Sequence, residues 1–133
     1  MPARYVLDTN IITALLRGDV SVVQNIAIAA RENAELYLCP VVFYEIRRGL
    51  LYRDARNQSQ LFLQYAATLI WDDFNHSDWL YAAELWSDLR QRGITVGDAD
   101  LLIGVYAFHR YAVVVTANEK HFAPLGVAVE NWL

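Results

Sequence analysis

Arg4-Tyr5-Val6-Leu7-Asp8-Thr9-Asn10-Ile11-Ile12 changes character midway, and that change sets the fold class. Its first four residues read as a short buried strand. Asp8-Thr9-Asn10 then offer side chains that cap a helix carrying Ile11, Ile12, Leu15 and Leu16 at helical spacing. Gly18 closes that helix. A second helical pattern runs from about Ser21 to Glu32, followed by Leu36-Tyr37-Leu38-Cys39, an apolar run of strand length.

The alternation continues outward from this unit. Pro40 suits a first helical turn, where no N–H is needed, and Val42, Phe43, Ile46, Leu50 and Leu51 recur at helical spacing through Glu45. A helix over about Gln58 to Thr68 leads to Leu69-Ile70-Trp71. From Ser77 to Gln91 the pattern predicts a long amphipathic helix. It should have Trp79, Ala82, Trp86 and Leu89 on one face, with Asp78, Asp88 and Arg92 largely away from it, and Gly93 closes it. Asp98 is expected to cap a helix through about His109. Val113-Val114-Val115-Thr116 reads as a β-branched strand and Val127-Ala128-Val129 as a last edge strand. Strands alternating with helices predict an α/β fold: a three-layer α/β/α sandwich with a mainly parallel sheet of four to five strands, helices on both faces and right-handed crossovers.

At 133 residues, 56% apolar and 20% charged, the chain fits one domain over residues 1–133 with a dense core and little tendency to disorder. A net charge of −4 supplies no overall attraction to a phosphate polyanion, so nucleic-acid binding would have to rest on local charge. Cys39 has no partner for an internal disulfide, no cationic leader opens the chain, and the longest apolar stretches fall short of a bilayer span. The expectation is a cytoplasmic protein without a membrane segment.

In an open parallel sheet the ligand crevice forms beyond the carboxyl ends of the strands, where strand order reverses. Asp8 ends the first strand, Glu45 lies on the helix entered from the second, and Asp98 and Asp100 open the helix before the fourth. Two carboxylates about 4 Å apart repel by roughly 4 kcal/mol at an effective dielectric of about 20, so a shared pocket demands protonation or a cation. Magnesium or manganese suits such oxygen donors. His76, His109 and His121 are scattered, without zinc-ligand spacing. With no nucleophile elbow or phosphate-cradling glycine loop, acid and metal chemistry is the remaining candidate, activating water against a phosphodiester.

Four segments together resemble the PIN domain: Val6-Leu7-Asp8-Thr9-Asn10; Val42-Phe43-Tyr44-Glu45-Ile46 with Gly49; Gly97-Asp98-Ala99-Asp100-Leu101-Leu102-Ile103; and Thr116-Ala117-Asn118. The closing Val129-Glu130-Asn131-Trp132 is similar to VapC-like toxins. The resemblance implies an Mg2+- or Mn2+-dependent endoribonuclease, the toxin of a VapBC-type toxin–antitoxin pair. Asp8, Glu45 and Asp100 would hold the metal as the catalytic acids, with Thr116 and Asn118 supporting. It further implies an RNA substrate such as tRNA or rRNA, a VapB-like antitoxin, a homodimer, and contact with DNA only through the antitoxin. The chain departs from the fuller pattern at His121, where many relatives carry a fourth acid. Asp98 or Glu119 would have to substitute.

Each residue also has a plainer reading. Asp8 serves as a helix cap without any metal, Glu45 could pair with Arg48, and Asp98 is the natural cap from which Asp100 projects into the first turn. Thr116 and Asn118 equally suit the end of a strand and a turn. Arg47, Arg48, Arg53 and Arg56 flank Glu45 as a phosphate-binding ridge, an antitoxin contact or a solvated face. Trp71, Trp79 and Trp86, with Tyr44, Tyr52 and Tyr65, are core by default, the helices from Tyr44 to Tyr65 also suiting an amphipathic antitoxin helix. Two other classes fit poorly. A phosphoacceptor receiver would need an acidic pair after the first strand, and a haloacid-dehalogenase phosphatase would need an acid at Asn10. A catalytically impaired PIN fold acting as a binding module is the alternative that stays open.

Overall fold

A computed structural model describes every residue from Met1 to Leu133. Five strands, β1 (Arg4–Leu7), β2 (Glu35–Leu38), β3 (Ile70–Trp71), β4 (Val113–Val115) and β5 (Val129–Glu130), form one sheet in the order β3-β2-β1-β4-β5. Every neighbouring pair is parallel. The connections carry helices α1 (Thr9–Leu16), α2 (Val20–Arg31), α3 (Pro40–Tyr52), α4 (Arg56–Ala66), α5 (His76–Gln91), α6 (Asp98–His109) and α7 (Glu119–Phe122). Successive strand residues point to opposite faces, and Val6 and Leu7, like Val114 and Val115, are all fully buried. Both faces of the sheet are therefore covered, which is the expected α/β/α arrangement with five strands.

Several local readings shift. The last strand is Val129–Glu130, not Val127 to Val129, because Gly126 ends a 3-10 turn (Ala123–Leu125) in the left-handed region and residues 127–128 bring the chain into register with β4. Pairing of Val114 with Val129 and Val115 with Glu130 then fixes the edge. Gly97, not Asp98, is the N-cap of α6, and no side chain caps that helix. A β-carbon on Gly104 would sit 2.5 Å from Leu125 Cδ1, so any larger residue would displace the Leu125 side chain that packs the 3-10 turn on α6. That contact holds the Thr116–Leu125 segment against the helix bearing Asp100.

The amphipathic reading of α5 holds for Ala82 and Leu89, which are buried, and for Asp88 and Arg92, which are exposed, but it is overturned at Trp79, Trp86 and Asp78. Trp79 and Trp86 are 52% and 42% exposed, and Trp71, Tyr44 and Tyr52 are exposed as well, so these rings are not core. Asp78 is instead fully buried. It forms a capping box with Asn75, each side chain accepting the other's backbone N–H at 3.0 Å. Its two oxygens also meet Arg110 Nη2 at 2.9 Å and His109 Nδ1 at 2.7 Å. Arg110 donates further to Asp72 Oδ2 at 2.7 Å and lies over the Tyr106 ring at 3.8 Å. Asp78 turns inward because a guanidinium distant in sequence waits for it there.

Candidate active site

β1 and β4 lie side by side where strand order reverses, since the chain runs from β1 through β2 to β3 in one direction and from β4 to β5 in the other. Their following loops diverge and leave a crevice. Asp8 is the first residue past β1, and its N–H donates to the Val115 carbonyl at 2.9 Å, tying the loop to β4. Its side chain is nearly buried, at 4% exposure. Oδ1 accepts from the Thr9 N–H at 2.7 Å, while Oδ2 accepts from the Thr116 hydroxyl at 2.8 Å and the Asn10 amide at 3.2 Å. Asp8 is thus the helix cap that the sequence suggests and a fixed acid of the crevice at once.

Glu45, in the second turn of α3, accepts from the Thr9 hydroxyl at 2.9 Å. It does not pair with Arg48, whose guanidinium lies 4.9 Å from the centre of the Tyr44 ring. Asp100, in the first turn of α6, has Oδ2 at 3.2 Å from His121 Nδ1. Asp8, Glu45 and Asp100 line one open cleft of about 770 Å³ with Thr9, Asn10 and Asn118. Thr116 lies fully buried behind it, accepting the Asn118 N–H at 2.9 Å. Burial pushes the Asp8 carboxyl above its usual range. Hydrogen bonds from Thr116 and Thr9 pull it back, and the charges of Asp100 and Glu45 add to the rise.

With this geometry in place, residues 5–126 match the family model of the PIN domain. The chain belongs to the PIN-domain family. Ribonuclease VapC2 of Rickettsia felis is 31% identical over 131 residues, which span 96% of this PIN chain and 97% of that protein. The fold is similar to the crystal structure of VapBC2 from Rickettsia felis bound to a DNA fragment from their promoter. There the TM-score is 0.83 at 27% identity, covering 98% of this chain and 99% of that one. VapBC-1 from nontypeable Haemophilus influenzae shares the fold with a TM-score of 0.80 at 23% identity over 97% and 98% of the two chains.

The PIN cleft offers hard oxygen donors suited to magnesium or manganese. Each acid is nevertheless engaged by a neighbour, and nowhere do three groups among His, Cys, Asp and Glu converge closely enough to hold a metal as the side chains stand. Thr9 engages only Glu45 Oε1 and His121 faces only Asp100 Oδ2, so one oxygen of each carboxylate remains free as a donor. Asp98 is corrected as a candidate ligand. Two positions along a helix amount to about 200° of rotation, and Asp98 faces a groove between α5 and α6 with Trp79 and Trp86 while Asp100 faces the cleft. Glu119 does not line the cleft either.

The four arginines near Glu45 do not form one ridge. Arg47 and Arg56 line a groove between α3 and α4, where Asp54 accepts from Arg56 at 3.1 Å, whereas Arg53 turns toward α1. Sequence reasoning missed Thr9 and Asn10 as site-builders, although their place directly after Asp8 was a usable signal. Arg17 and Asp19 also line the cleft, and nothing in the local pattern marked them. No single helix is long and apolar enough to cross a membrane.

Proposed function

We propose that this chain is a metal-dependent endoribonuclease and the toxin of a VapBC-type pair, a single PIN domain over residues 1–133 working in the cytoplasm. The observation that carries the reading is the convergence of Asp8, Glu45 and Asp100 from three separate segments on one cleft, with Asp8 desolvated and burdened by the other two charges. Such a site gains from a cation. Asp8, Glu45 and Asp100 would hold Mg2+ or Mn2+, which when bound supplies Lewis acidity for phosphodiester hydrolysis.

The chain's own residues set the stage. Thr116 and Thr9 hold Asp8 in one rotamer, Asn10 braces the β4 loop by accepting the Ala117 N–H at 3.0 Å, and Asn118 lines the cleft with an amide available to substrate. In the reaction a water oxygen attacks phosphorus, the phosphorus–oxygen bond to the departing strand breaks, and the leaving oxygen takes up a proton.

A ribonuclease among the relatives and toxin–antitoxin complexes among the similar structures support RNA, such as tRNA or rRNA, as substrate and a VapB-like antitoxin as partner. DNA contact would come only through that antitoxin. The α3–α4 groove, with Leu50, Leu51 and Leu63 beside Arg47 and Arg56, fits an amphipathic antitoxin helix. In the homodimer, the exposed apolar groove of Trp79, Trp86, Leu101 and Leu102 would meet its counterpart.

One observation favours a catalytically impaired binding module instead: His121 stands against Asp100, and the three acids that share the cleft are not close enough to hold one ion together as the side chains stand. Incubating an end-labelled tRNA pool with purified protein separates the two. Discrete fragments in magnesium or manganese that vanish with EDTA and with Asp8→Asn protein are expected. Intact RNA with folded, antitoxin-free protein across tRNA and rRNA substrates would favour the binding module.

A further inference from the structure

Two helices that leave the cleft carry matching stripes. On α1, Thr9, Thr13 and the C-capping Arg17 follow at four-residue intervals; on α3, so do Glu45, Gly49 and the C-capping Arg53. The stripes face each other across a polar recess of about 130 Å³, lined also by Gln58, that adjoins the acidic cleft through Thr9, Thr13, Arg17 and Glu45. At one end the Thr9 hydroxyl donates to Glu45; at the other stand the two guanidinium groups.

Neither Arg17 nor Arg53 makes an ion pair, unlike Arg4, Arg56, Arg92 and Arg110. Gly49 leaves Arg53 room to fold back along α3: a β-carbon there would meet Arg53 Nη1 at 3.6 Å, so any longer side chain would enter the space that the guanidinium overlooks. The Arg53 guanidinium folds back to the level of Gly49, one helical turn from Glu45, so it stands beside the cleft and not among the three acids. The polar hydroxyl and amide lining, the pair of unneutralised forks and the continuity with the cleft are what a phosphodiester chain meets favourably.

We propose that Arg17 and Arg53 form a subsite for a backbone phosphate of single-stranded RNA flanking the scissile bond, with Gln58 and Thr13 as further donors. This rests on the nuclease reading. It also resolves how a chain of net charge −4 approaches RNA: a local positive pair lies along one track from the cleft. Arg17 and Arg53 are positioning residues, acting on the strand and not on the reacting phosphorus.

The test measures binding of a fluorescein-labelled single-stranded oligouridylate by fluorescence anisotropy over a salt series. All proteins carry Asp8→Asn, in full-length form, so that cleavage does not intervene. Replacing both arginines, R17Q with R53Q, is expected to weaken binding about tenfold at low salt. It should also flatten the slope of log K against log salt by about 1.4, two phosphate contacts at about 0.7 each. Gly49→Leu changes no charge and should weaken binding severalfold by filling the recess. Arg92→Gln, removing an arginine already paired with Asp88 at 3.0 Å, controls for net charge and should leave the slope unchanged.

In the cleaving parent the double replacement should raise KM with kcat nearly unchanged. Unchanged affinity and slope in the double variant would overturn the subsite whether or not the parent cleaves. Arginine-dependent binding by a parent that never cleaves would leave the subsite standing and sink the nuclease reading. If the arginines govern binding of a polyglutamate peptide but not of RNA, the proposal is overturned in favour of an acidic partner segment.

Discussion

The molecule holds two collections of charge that its structure treats in opposite ways. Around Asp78 every charge is answered within the chain. Asp78 is fully buried, yet Arg110, the Asn75 N–H and His109 saturate its oxygens, and Asp72 takes up the remaining edge of the guanidinium. Burial alone would raise the Asp78 carboxyl; the Arg110, Asn75 and His109 bonds outweigh it and hold it below the usual range. In the cleft of Asp8, Glu45 and Asp100, hydroxyls and amides answer Asp8 and Glu45, no guanidinium pairs with any of the three acids, only His121 stands beside Asp100, and Asp8 is pushed upward. Charge that the fold neutralises itself holds elements together, whereas charge left unanswered in an open cleft is available to a ligand.

The contrast is broken most forcefully at Asp78. Replacing it by Ala strands Arg110 without its buried partner and should cost about 3–5 kcal/mol in urea unfolding. A loss below about 1 kcal/mol would mean that the bonds from Asp78 on α5 to His109 and Arg110 at the end of α6 do not hold the two helices together. Asp8→Asn should do the reverse, lowering RNA cleavage per folded molecule by about two to three orders of magnitude, roughly 2.7–4 kcal/mol of barrier, with little loss of stability. Cleavage and stability falling together would place Asp8 with Asp78 as a structural acid.

Magnesium sharpens the same distinction. At about a hundredfold over its dissociation constant it should stabilise the wild-type protein by about 2.7 kcal/mol in thermal unfolding, and the effect should disappear in Asp8→Asn but persist when Arg92→Gln alters a remote pair. A shift that survives in Asp8→Asn would move the metal out of the cleft.

The smallest effect is on pH dependence, where the two acids carry opposite signs. The folded-state pKa of Asp78 is lowered, so its stabilisation is present above the ordinary carboxylate range and is lost as pH falls through that range. That of Asp8 is raised, so the fold is relatively favoured at low pH and this advantage is lost as pH rises through the raised value. In metal-free buffer, Asp8→Asn should therefore gain on wild type as pH rises from the carboxylate range, while the deficit of Asp78→Asn should shrink as pH falls below it. Parallel stability curves for wild type and either variant would refute the corresponding sign.

Local pattern was enough for much of this protein. Strand-to-helix alternation, the Asp8 cap and the burial of Val6, Leu7, Val114 and Val115 all follow from period and composition, because a strand covered on both faces must be apolar throughout. That Asp8, Glu45 and an acid of the Asp98–Asp100 pair share a cleft was legible as well, Asp8 from its place at the end of β1 and the others from the PIN-like segments that carry them.

Tertiary structure alone decided the rest, wherever two side chains distant in sequence had to meet. Asp78 looks like a solvent-facing acid until Arg110, thirty-two residues on, is packed against it. Asp98 and Asp100 look equivalent until the rotation of α6 sends one to the tryptophan groove and the other to the cleft. Arg17 acquires a role only when α1 lies beside α3. A one-dimensional pattern encodes which face a residue occupies, but the partner on the facing element is set by how the helices cross the sheet, and electrostatic roles depend on that partner.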